Sequence, residues 1–426
     1  MSDTSWLPGD ALPDAPALAR RGPHRVGVTT RAVVLPDALD LGASSGVATV
    51  RSDRGLTLEI WYPAVDDAVE VCEYGDRLGR TPDDPTRPAT PFTFAGRAAR
   101  DAAAAALRSP LTIVSHGYPG SRVLLSWLCE HLASCGHVVV AIDHPASTHG
   151  AVGDFAETLL HRPTDILGTL DVAERLDRED ALLEGRIDAG RTLLVGYSMG
   201  GYGVLNAAGA GFSEAFVQNE RAVPHGLLAP RGAAALGAPD PRIRGVVAFA
   251  PWGGQHRVWD EDGLRSLVVP TLFVAGREDD VVGWQPGVLS LFAGTTGAER
   301  FLLVYEQGRH NVAPNPPPLA AASHPADWGH YAEPVWDPRR LNNVGQHFVR
   351  AFARYVLEEA ADLPAALDLI PVAADGAWTV DADGIPQPGE GHWWGFVPRT
   401  ALAMQFHRLP RGHRDAAPRA ARPARA

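Results

Sequence analysis

Ser198 is the residue of this chain whose neighbours point most directly to chemistry. It is the centre of a Gly-x-Ser-x-Gly pentapeptide at residues 196–200, which follows the apolar run 193–195 and precedes a stretch of small residues. That order predicts a strand, a sharp turn and a helix, with the serine hydroxyl exposed at the turn beside a helix N-terminus. Glycine on either side permits such a tight turn. The pattern is typical of the nucleophile of a serine hydrolase.

A serine hydroxyl becomes an effective nucleophile when an adjacent base accepts its proton. We predict that His310 is this base, because it ends a glycine-containing turn directly after the apolar run 301–305. The chain has 16 histidines, so position relative to a strand decides between them. The weaker candidates, which no predicted strand precedes, are His324, His330 and His347.

The acid of a triad holds the histidine tautomer and stabilises the imidazolium. We predict that Asp279 is this acid, because it has a Gly-x-x-Asp spacing just after the apolar run 272–275. Asp280 is the second candidate and Glu278 the third. A solvated acidic loop accounts for the two carboxylates that are not used.

An acyl-transfer site also needs two backbone N–H groups aimed at the developing oxyanion. The first predicted donor is Met199, which follows the nucleophile. The second is Tyr118, in the His-Gly-Tyr-Pro-Gly loop at residues 116–120. The alternative is that this loop is only a turn demanded by glycine and proline.

Five aromatic residues are candidates for substrate contacts. Trp252 and Trp284 follow predicted strands, although core packing explains them equally well. Residues 311–340 form a proline- and aromatic-rich segment that we predict to be a lid, and residues 209–242 are a second possible lid. The aromatic candidates of the first segment are Trp328, Tyr331 and Trp336. They suggest a substrate with an apolar or aromatic group.

The elements that position these residues alternate between short apolar runs and helical stretches. This rhythm predicts an α/β fold with a mostly parallel central sheet and helices on both faces. Each candidate catalytic residue follows a strand, where such sheets bind ligands. We also expect helices over residues 94–107 and 164–176, the second capped by Thr164. The predicted organisation is a flexible arm at 1–24, one domain at 25–410 and a disordered tail at 411–426.

Composition excludes several classes of function. The 426 residues carry a net charge of −12, which argues against nucleic acid as a partner. Three cysteines do not make a disulfide framework, and none stands at a strand-to-helix turn. No apolar run is long enough for a membrane span, and no signal peptide is recognisable, so we expect a cytoplasmic protein. Neither a metal nor an organic cofactor is expected, and the sequence is silent on oligomeric state.

The chain resembles the α/β-hydrolase superfamily, and within it bacterial proteins described as predicted dienelactone hydrolases and platelet-activating-factor acetylhydrolase-like esterases. The resemblance covers residues 25–360 and rests on segments 59–64, 115–122, 131–134, 143–145, 162–165 and 196–200. It implies an α/β-hydrolase fold and ester hydrolysis.

Two departures from these relatives matter. Dienelactone hydrolases have a cysteine nucleophile where this chain has Ser198. The acetylhydrolases take their acid from the strand after the elbow helix, which here ends in residues 249–252 without a carboxylate. The resemblance therefore returns the acid to Asp279.

The predicted function is hydrolysis of a small-molecule carboxylic ester through an acyl-enzyme on Ser198. An amidase or peptidase and an acyltransferase use the same triad and remain alternatives. A non-catalytic binding protein on the same scaffold is disfavoured, because serine, acid, histidine and oxyanion loop are all present.

Overall fold

A mainly parallel β-sheet with helices packed against it is the central feature of the protein. The computed structural model describes residues 6–45, 48–219, 221–224, 226–228, 236, 238–358 and 363–414. The strands are β1 (Arg25–Leu39), β2 (Arg51–Ala64), β3 (Cys72–Leu78), β4 (Thr90–Gly96), β5 (Ala99–Arg100), β6 (Ser109–Ser115), β7 (Val138–Asp143), β8 (Ser147–Thr148), β9 (Ala151–Val152), β10 (Ile187–Tyr197), β11 (Ile243–Phe249), β12 (Thr271–Gly276), β13 (Arg300–Tyr305), β14 (Trp378–Val380), β15 (Pro386–Pro388) and β16 (Met404–Leu409). The helices are α1 (Ser126–Ser134), α2 (Phe155–Glu179), α3 (Met199–Ala207), α4 (Glu214–Val217), α5 (Glu261–Arg265), α6 (Ser290–Gly294), α7 (Pro325–Gly329) and α8 (Pro338–Leu357). Shorter helical turns cover Ala17–Ala19, Gly254–His256, Trp284–Leu289, Leu319–Ser323 and Ala373–Asp375.

Within the described residues, ten strands form one sheet in the order β16-β13-β12-β11-β10-β6-β7-β2-β1-β5. The six strands from β13 to β7 pair in parallel, whereas β16, β2 and β1 join antiparallel. This confirms the predicted mixed α/β architecture with a mostly parallel sheet. It also brings the ends of β6, β10, β12 and β13 to one edge.

The core lies on both faces of this sheet. Along β10, Leu193 and Val195 belong to one buried cluster and Leu194 to the other, as expected when successive side chains point to opposite faces. Helices α1 and α8 pack in the first cluster, and α2 and α3 pack in the second. Apolar side chains on both faces explain why the central strands read as continuous hydrophobic runs.

Helix α2 begins nine residues before the predicted start at Thr164, so that prediction was wrong. Asp154 caps the helix by accepting a hydrogen bond from the N–H of Ala156 at 2.9 Å. Pro163 lies inside the helix and cannot donate to the carbonyl of Leu159. The hydroxyl of Tyr202 donates to that carbonyl instead, at 2.8 Å. A tertiary contact thus satisfies the group that the proline leaves without its helical partner.

The helix predicted over residues 94–107 is absent from this described segment. Strand β4 pairs antiparallel with β3, and β5 pairs with β1. Asp101 has a φ of 54°, which is incompatible with a right-handed helix. The alanine content suggested a helix, but the aromatic ring of Phe94 packs on Tyr74 across the hairpin at 5.4 Å.

The segment predicted to be a loose N-terminal arm is packed against the domain over residues 6–24. The N–H of Leu12 donates to Asn343 Oδ1 at 2.8 Å, and Gln346 Nε2 donates to the carbonyl of Gly9 at 2.9 Å. Both partners lie on α8, so its polar side chains hold the arm. Residues 1–5, and residues 415–426 of the predicted tail, lie outside the described part of the chain.

The two predicted lid segments have different positions. The described part of 209–242 includes α4, and Ser213 Oγ donates to the carbonyl of Arg257 at 2.8 Å. Residues 311–340, here named the strap, run from the end of the His310 turn to α8, and the N–H of Asn315 donates to the carbonyl of Leu124 at 2.9 Å. Among the described helices, none has the length and apolar character that a membrane crossing requires.

Candidate active site

Ser198 lies at the turn between β10 and α3 in a strained backbone conformation. Its φ is 53° and its ψ is −113°, a region that non-glycine residues rarely occupy. The N–H of Ser198 donates to the carbonyl of Phe249 at 2.9 Å, which fixes the turn to strand β11. The residue is 9% exposed, so most of its surface is covered by the protein. Strain of this kind concentrates at functional sites.

The glycines around Ser198 are required by close backbone contacts. A Cβ on Gly196 would lie 2.2 Å from the carbonyl oxygen of Gly200. A Cβ on Gly200 would lie 2.0 Å from the carbonyl oxygen of Ser115 at the end of β6. Any larger residue would push the turn away from the neighbouring strand. The two glycines therefore set the position of the serine relative to the oxyanion loop.

The three residues predicted as a triad are brought together from the ends of three strands. His310 Nε2 lies 3.0 Å from Ser198 Oγ, and His310 Nδ1 lies 2.9 Å from Asp279 Oδ2. His310 is 8% exposed, and the side chain of Asp279 is fully buried. With the carboxylate accepting from Nδ1–H, Nε2 is left as an acceptor for the serine proton. This is the arrangement in which a serine hydroxyl can be activated.

The other oxygen of Asp279 is held by the backbone. Oδ1 accepts hydrogen bonds from the N–H groups of Val281 and Val282, both at 2.9 Å. Burial alone would raise the pKa of Asp279, but the hydrogen bond and charge of His310, with the two N–H donors, outweigh burial and lower the pKa. The carboxylate is therefore ionised where it faces the histidine.

The two alternative acids point elsewhere. Asp280 is exposed and forms an ion pair with Arg309. Glu278 is also exposed, and its N–H donates to the carbonyl of Gly308 at 2.9 Å. Of the three candidates, Asp279 is the one whose carboxylate contacts His310.

The alternative histidines are also engaged elsewhere. His324 caps α7 by accepting from the N–H of Ala326 at 3.2 Å. His330 Nε2 lies 3.5 Å from His149 Nε2. His347 Nδ1 accepts from the N–H of Leu18 at 3.2 Å.

The turn that carries His310 is fixed by its neighbours. Asn311 Oδ1 accepts from the hydroxyl of Tyr197 at 3.1 Å, and Asn311 Nδ2 donates to two carbonyls of the strap. Glu333 of the strap accepts from the N–H of Arg309 at 2.9 Å. The strap thus supports the turn that carries the imidazole.

The two predicted oxyanion donors flank Ser198. Met199 is the first residue of α3, where helical N–H groups have no partner within the helix. Tyr118 lies in the loop after β6, and a Cβ on the preceding Gly117 would lie 3.6 Å from Ser198 Cβ. Among the described residues, neither N–H has a protein acceptor. Both remain available for an anion above the serine.

A buried arginine supports the loop at residues 116–120 from behind, a role that the sequence did not predict although segment 162–165 carries part of the family resemblance. Arg162 is 1% exposed, and its guanidinium donates to the carbonyls of His116 at 2.6 Å and Gly117 at 3.4 Å. It also donates to Ser147 Oγ. Burial lowers the pKa of Arg162 to about 9, so the group is charged at neutral pH. The available signal was a pair of charged residues, Arg162 and Asp165, among the buried residues of α2.

A second serine, histidine and acid come together beneath this loop. Ser115 Oγ lies 2.9 Å from His144 Nε2, and His144 Nδ1 lies 2.9 Å from Asp165 Oδ2. Ser115 is completely buried, and Arg54 holds both oxygens of Asp165 at 2.7 and 3.0 Å. Burial, followed by Arg162, lowers the pKa of His144 well below its usual range. With no route for a substrate to its serine, this second group is structural.

The five aromatic candidates occupy different environments. Trp252 is half-buried, and its N–H donates to the carbonyl of Ser198 at 3.0 Å. Trp328 and His310 line one cavity of about 680 Å³. Trp284 packs under the guanidinium of Arg277 at 5.2 Å.

Tyr331 and Trp336 pack against other parts of the protein. Tyr331 is 3% exposed and borders a separate apolar cavity of about 310 Å³ together with Phe92. Trp336 packs on Tyr305 at 5.1 Å, and its Nε1 donates to the carbonyl of Glu306 at 2.8 Å. These contacts anchor the strap to the core, and the substrate contact expected of Trp336 stays a prediction.

Comparison with known proteins places the similarity on the part of the chain that carries the nucleophile. Residues 102–218 match the PETase family, described as PET hydrolase-like. Cutinase est2 and cutinase est1 of Thermobifida alba are each 26% identical over 170 residues, which is 39% of this chain and 41% and 42% of theirs. Cutinase 2 of Thermobifida cellulosilytica is 34% identical over 97 residues, or 22% of this chain and 32% of that protein.

The match to the Thermobifida alba cutinases therefore spans about two fifths of their length. The family match at residues 102–218 includes the loop at 116–120, Arg162 and Ser198, and ends before Asp279 and His310. These relatives agree with the esterase part of the resemblance noted from the sequence. The finer likeness to dienelactone hydrolases and acetylhydrolases stays a prediction.

Proposed function

We propose that this protein is an α/β-hydrolase that cleaves a carboxylic ester, with Ser198 as nucleophile, His310 as base and Asp279 as acid. The observation that carries the proposal is the continuous chain of contacts from Ser198 Oγ through His310 to Asp279, at 3.0 and 2.9 Å. The strained turn at Ser198 and the similarity to cutinases and PET hydrolase-like proteins support it.

The first half of the reaction forms an acyl-enzyme. Ser198 Oγ attacks the ester carbonyl carbon while its proton moves to His310 Nε2. The carbonyl oxygen becomes an oxyanion, which accepts hydrogen bonds from the N–H groups of Tyr118 and Met199. When the intermediate collapses, the C–O bond to the alcohol breaks, and the alcohol leaves with the proton from His310.

The second half restores the serine. His310 takes a proton from water, and the hydroxide oxygen attacks the acyl carbon. The bond to Ser198 Oγ then breaks, and that oxygen regains its proton from His310 as the acid product leaves. Asp279 stays ionised throughout and stabilises the imidazolium at each stage.

We further propose that the ester carries an apolar or aromatic group. Trp252 lies beside Ser198 and stacks edge-on with Phe155 at 5.5 Å, and Phe155 in turn packs on Tyr118 at 5.1 Å. All three rings are half-buried, which leaves aromatic surface for a substrate next to the nucleophile.

The test is hydrolysis of p-nitrophenyl esters from acetate to octanoate, together with labelling by a fluorophosphonate whose site is mapped by peptide mass spectrometry. We expect turnover by the wild type, label on Ser198 and loss of both in Ser198→Ala. Label on Ser115 instead would assign the nucleophile to the second serine group. A folded wild type that neither reacts nor hydrolyses would contradict the proposal.

Two other activities fit the same residues. An amidase or peptidase would turn over p-nitroanilides, and an acyltransferase would form product only with an added acceptor alcohol or amine. The names of the relatives favour the ester over both, since cutinases and PET hydrolases are named for ester substrates.

A further inference from the structure

The guanidinium of Arg162 is a buried charge whose donors are directed at neutral oxygens. Its contacts are the carbonyls of His116 and Gly117 and the hydroxyls of Ser115 and Ser147. Asp165 attracts it electrostatically. However, the oxygens of that carboxylate bind Arg54 and His144.

This placement is costly for stability. A buried charge without a directly bonded counter-ion is expensive, and the Nε of Arg162 has no hydrogen-bond partner among the described residues. Helix α3 leaves room for the side chain only because residue 203 is glycine, where a Cβ would lie 2.5 Å from Arg162 Cγ. Helix α3 is therefore shaped around an arginine whose burial costs more free energy than burial of a neutral residue would.

The geometry of one peptide unit explains what the charge does. The carbonyl of Gly117 and the N–H of Tyr118 belong to the same planar unit and point in opposite directions when the peptide is trans. Arg162 and the Nδ1–H of His116, at 2.7 Å, both hold that carbonyl oxygen. The N–H of Tyr118 is thereby turned away from Arg162.

His116 is fixed in the tautomer that this geometry needs. Its Nε2 accepts from the N–H of His144 at 3.2 Å, so the proton is on Nδ1. Burial, followed by Arg162, lowers the pKa of His116 well below its usual range, which keeps the ring neutral. The carbonyl of Gly117 thus receives two donors.

We propose that Arg162 is a positioning residue of the oxyanion site, which orients and polarises the Gly117–Tyr118 peptide so that the N–H of Tyr118 meets the developing oxyanion. A cation bonded to the carbonyl end of a peptide strengthens the hydrogen bond that its N–H donates. This proposal rests on the proposed function for its catalytic consequence, but its structural part does not. No contact between Arg162 and the substrate is required.

The experiment compares Arg162→Met and Arg162→Lys with wild type in kcat, in KM and in the inhibition constant of an alkyl boronic acid that forms a tetrahedral adduct with the serine. Loss of one oxyanion donor costs about 10²–10³ in kcat, so a misaligned donor should cost about 10–100-fold in Arg162→Met. We expect KM to stay within about twofold and boronate affinity to fall in parallel with kcat. Arg162→Lys keeps the charge without the fork of donors and should recover part of the loss.

Arg300→Met is the matched control for a structural effect. Arg300 is also fully buried and donates to backbone carbonyls, including Phe292 at 2.6 Å, on a different part of the sheet. The folded fraction of the Arg300→Met variant should keep the wild-type kcat. Equal losses in the two methionine variants, or an unchanged kcat in folded Arg162→Met, would overturn the proposal.

A second measurement separates this proposal from the proposed function. Protein labelled with ¹⁵N-tyrosine has eight tyrosine amides, and Tyr118→Phe identifies the one of interest. We expect its proton resonance to move upfield in Arg162→Met and to stay in place in Arg300→Met. An unmoved resonance would overturn the positioning role, whereas a wild type that fluorophosphonate does not label would overturn only the esterase function.

Discussion

The hydroxyl of Tyr197 donates a hydrogen bond to Asn311 Oδ1 at 3.1 Å, so the residue before Ser198 is tied to the residue after His310. The ring of Tyr197 also lies 5.4 Å from the imidazole of His310. Because the strap holds the other end of the Asn311 side chain, the asparagine is a fixed anchor. The separation of Ser198 and His310 is thus set by their neighbours as well as by the strands.

Tyr197→Phe removes this tie and little else. We expect kcat to fall about fivefold, because one neutral hydrogen bond contributes about 1 kcal/mol. Tyr355→Phe is the control, since its hydroxyl donates to Glu299 at 2.7 Å away from the site, and it should leave kcat unchanged. The measurement is ester hydrolysis at saturating substrate beside a thermal melt. A wild-type kcat in Tyr197→Phe would mean that the strands alone fix the geometry.

Asp279→Asn and Asp280→Asn form a pair of isosteric variants at adjacent positions. We expect Asp279→Asn to lower kcat by about 10⁴, because an amide favours the wrong histidine tautomer and cannot stabilise the imidazolium. Asp280→Asn breaks only an exposed ion pair with Arg309, worth about 0–1 kcal/mol, so kcat should change by less than about twofold. Initial rates on one ester at pH 8 compare the two. Reversed effects would move the acid to Asp280.

The strand ends and the polar residues that meet there could be predicted because both leave local signals. The apolar run before Ser198, the glycines around it and the polar residues after β12 and β13 are all readable within a few residues. The supports of the site were not readable in this way. Arg162 contacts the loop at residues 116–120 from helix α2. This contact joins residues that are 46 positions apart in the chain.

The two helix predictions were wrong for the same reason, because contacts between distant segments decided the structure. Alanine content favours a helix over residues 94–107, but strand pairing with β3 and β1 overrides this weak propensity. Pro163 suggested a helix start, and its tolerance inside α2 depends on Tyr202, 39 positions later in the chain. Composition alone predicted that Trp336 contacts the substrate. The hydrogen bond from its indole to the carbonyl of Glu306, which holds the strap, leaves no signal in the composition.

The raised pKa of Glu130 predicts a pH dependence of stability that is unrelated to catalysis. Burial raises its pKa from 4.5 to about 7, although Tyr74, Arg21 and the N–H of Arg97 partly offset this. Between these two pH values the folded protein keeps a proton that the unfolded chain loses, so stability should fall as pH rises from 4.5 to 7. The full effect is on the order of 3 kcal/mol.

Glu130→Gln tests this linkage, because the amide is neutral at every pH. We expect the free energy of unfolding of the variant to stay level over this range. Because that of the wild type falls, the variant should become more stable relative to the wild type as pH rises. Urea unfolding at pH 5, 6 and 7 measures it. Parallel pH profiles in the two proteins would show that Glu130 is already ionised in the folded state.

Trp252→Ala tests the aromatic wall beside the nucleophile. We expect KM for p-nitrophenyl benzoate to rise about 3–10-fold more than KM for the acetate, since an aromatic pair contributes about 0.5–1.5 kcal/mol beyond its buried area. Trp394→Ala is the control, because Trp394 is 46% exposed. It lies on the C-terminal segment, where its ring packs near His347 of α8. Equal changes for both esters would place the aryl group elsewhere, and Trp328→Ala then tests the strap side.

Gly203→Ala perturbs Arg162 without touching its charge. The added methyl group would lie 2.5 Å from Arg162 Cγ and 2.8 Å from Ile166 Cδ1, so the guanidinium must shift. On helix propensity alone this change would stabilise α3 by about 1 kcal/mol. We therefore expect a fall in kcat at constant KM that the melting temperature does not explain. Gly55→Ala, where a Cβ meets nothing within 4 Å, is the control.

The decisive comparison is Gly203→Ala combined with Arg162→Met. If the methyl group acts by displacing the guanidinium, it has nothing left to displace in the Arg162→Met background, and its effect on kcat should largely disappear. Initial rates of the wild type, the two single variants and the double variant give the coupling. Additive losses would mean that Gly203 shapes the site through the backbone of α3, and that the contact with Arg162 is incidental to catalysis.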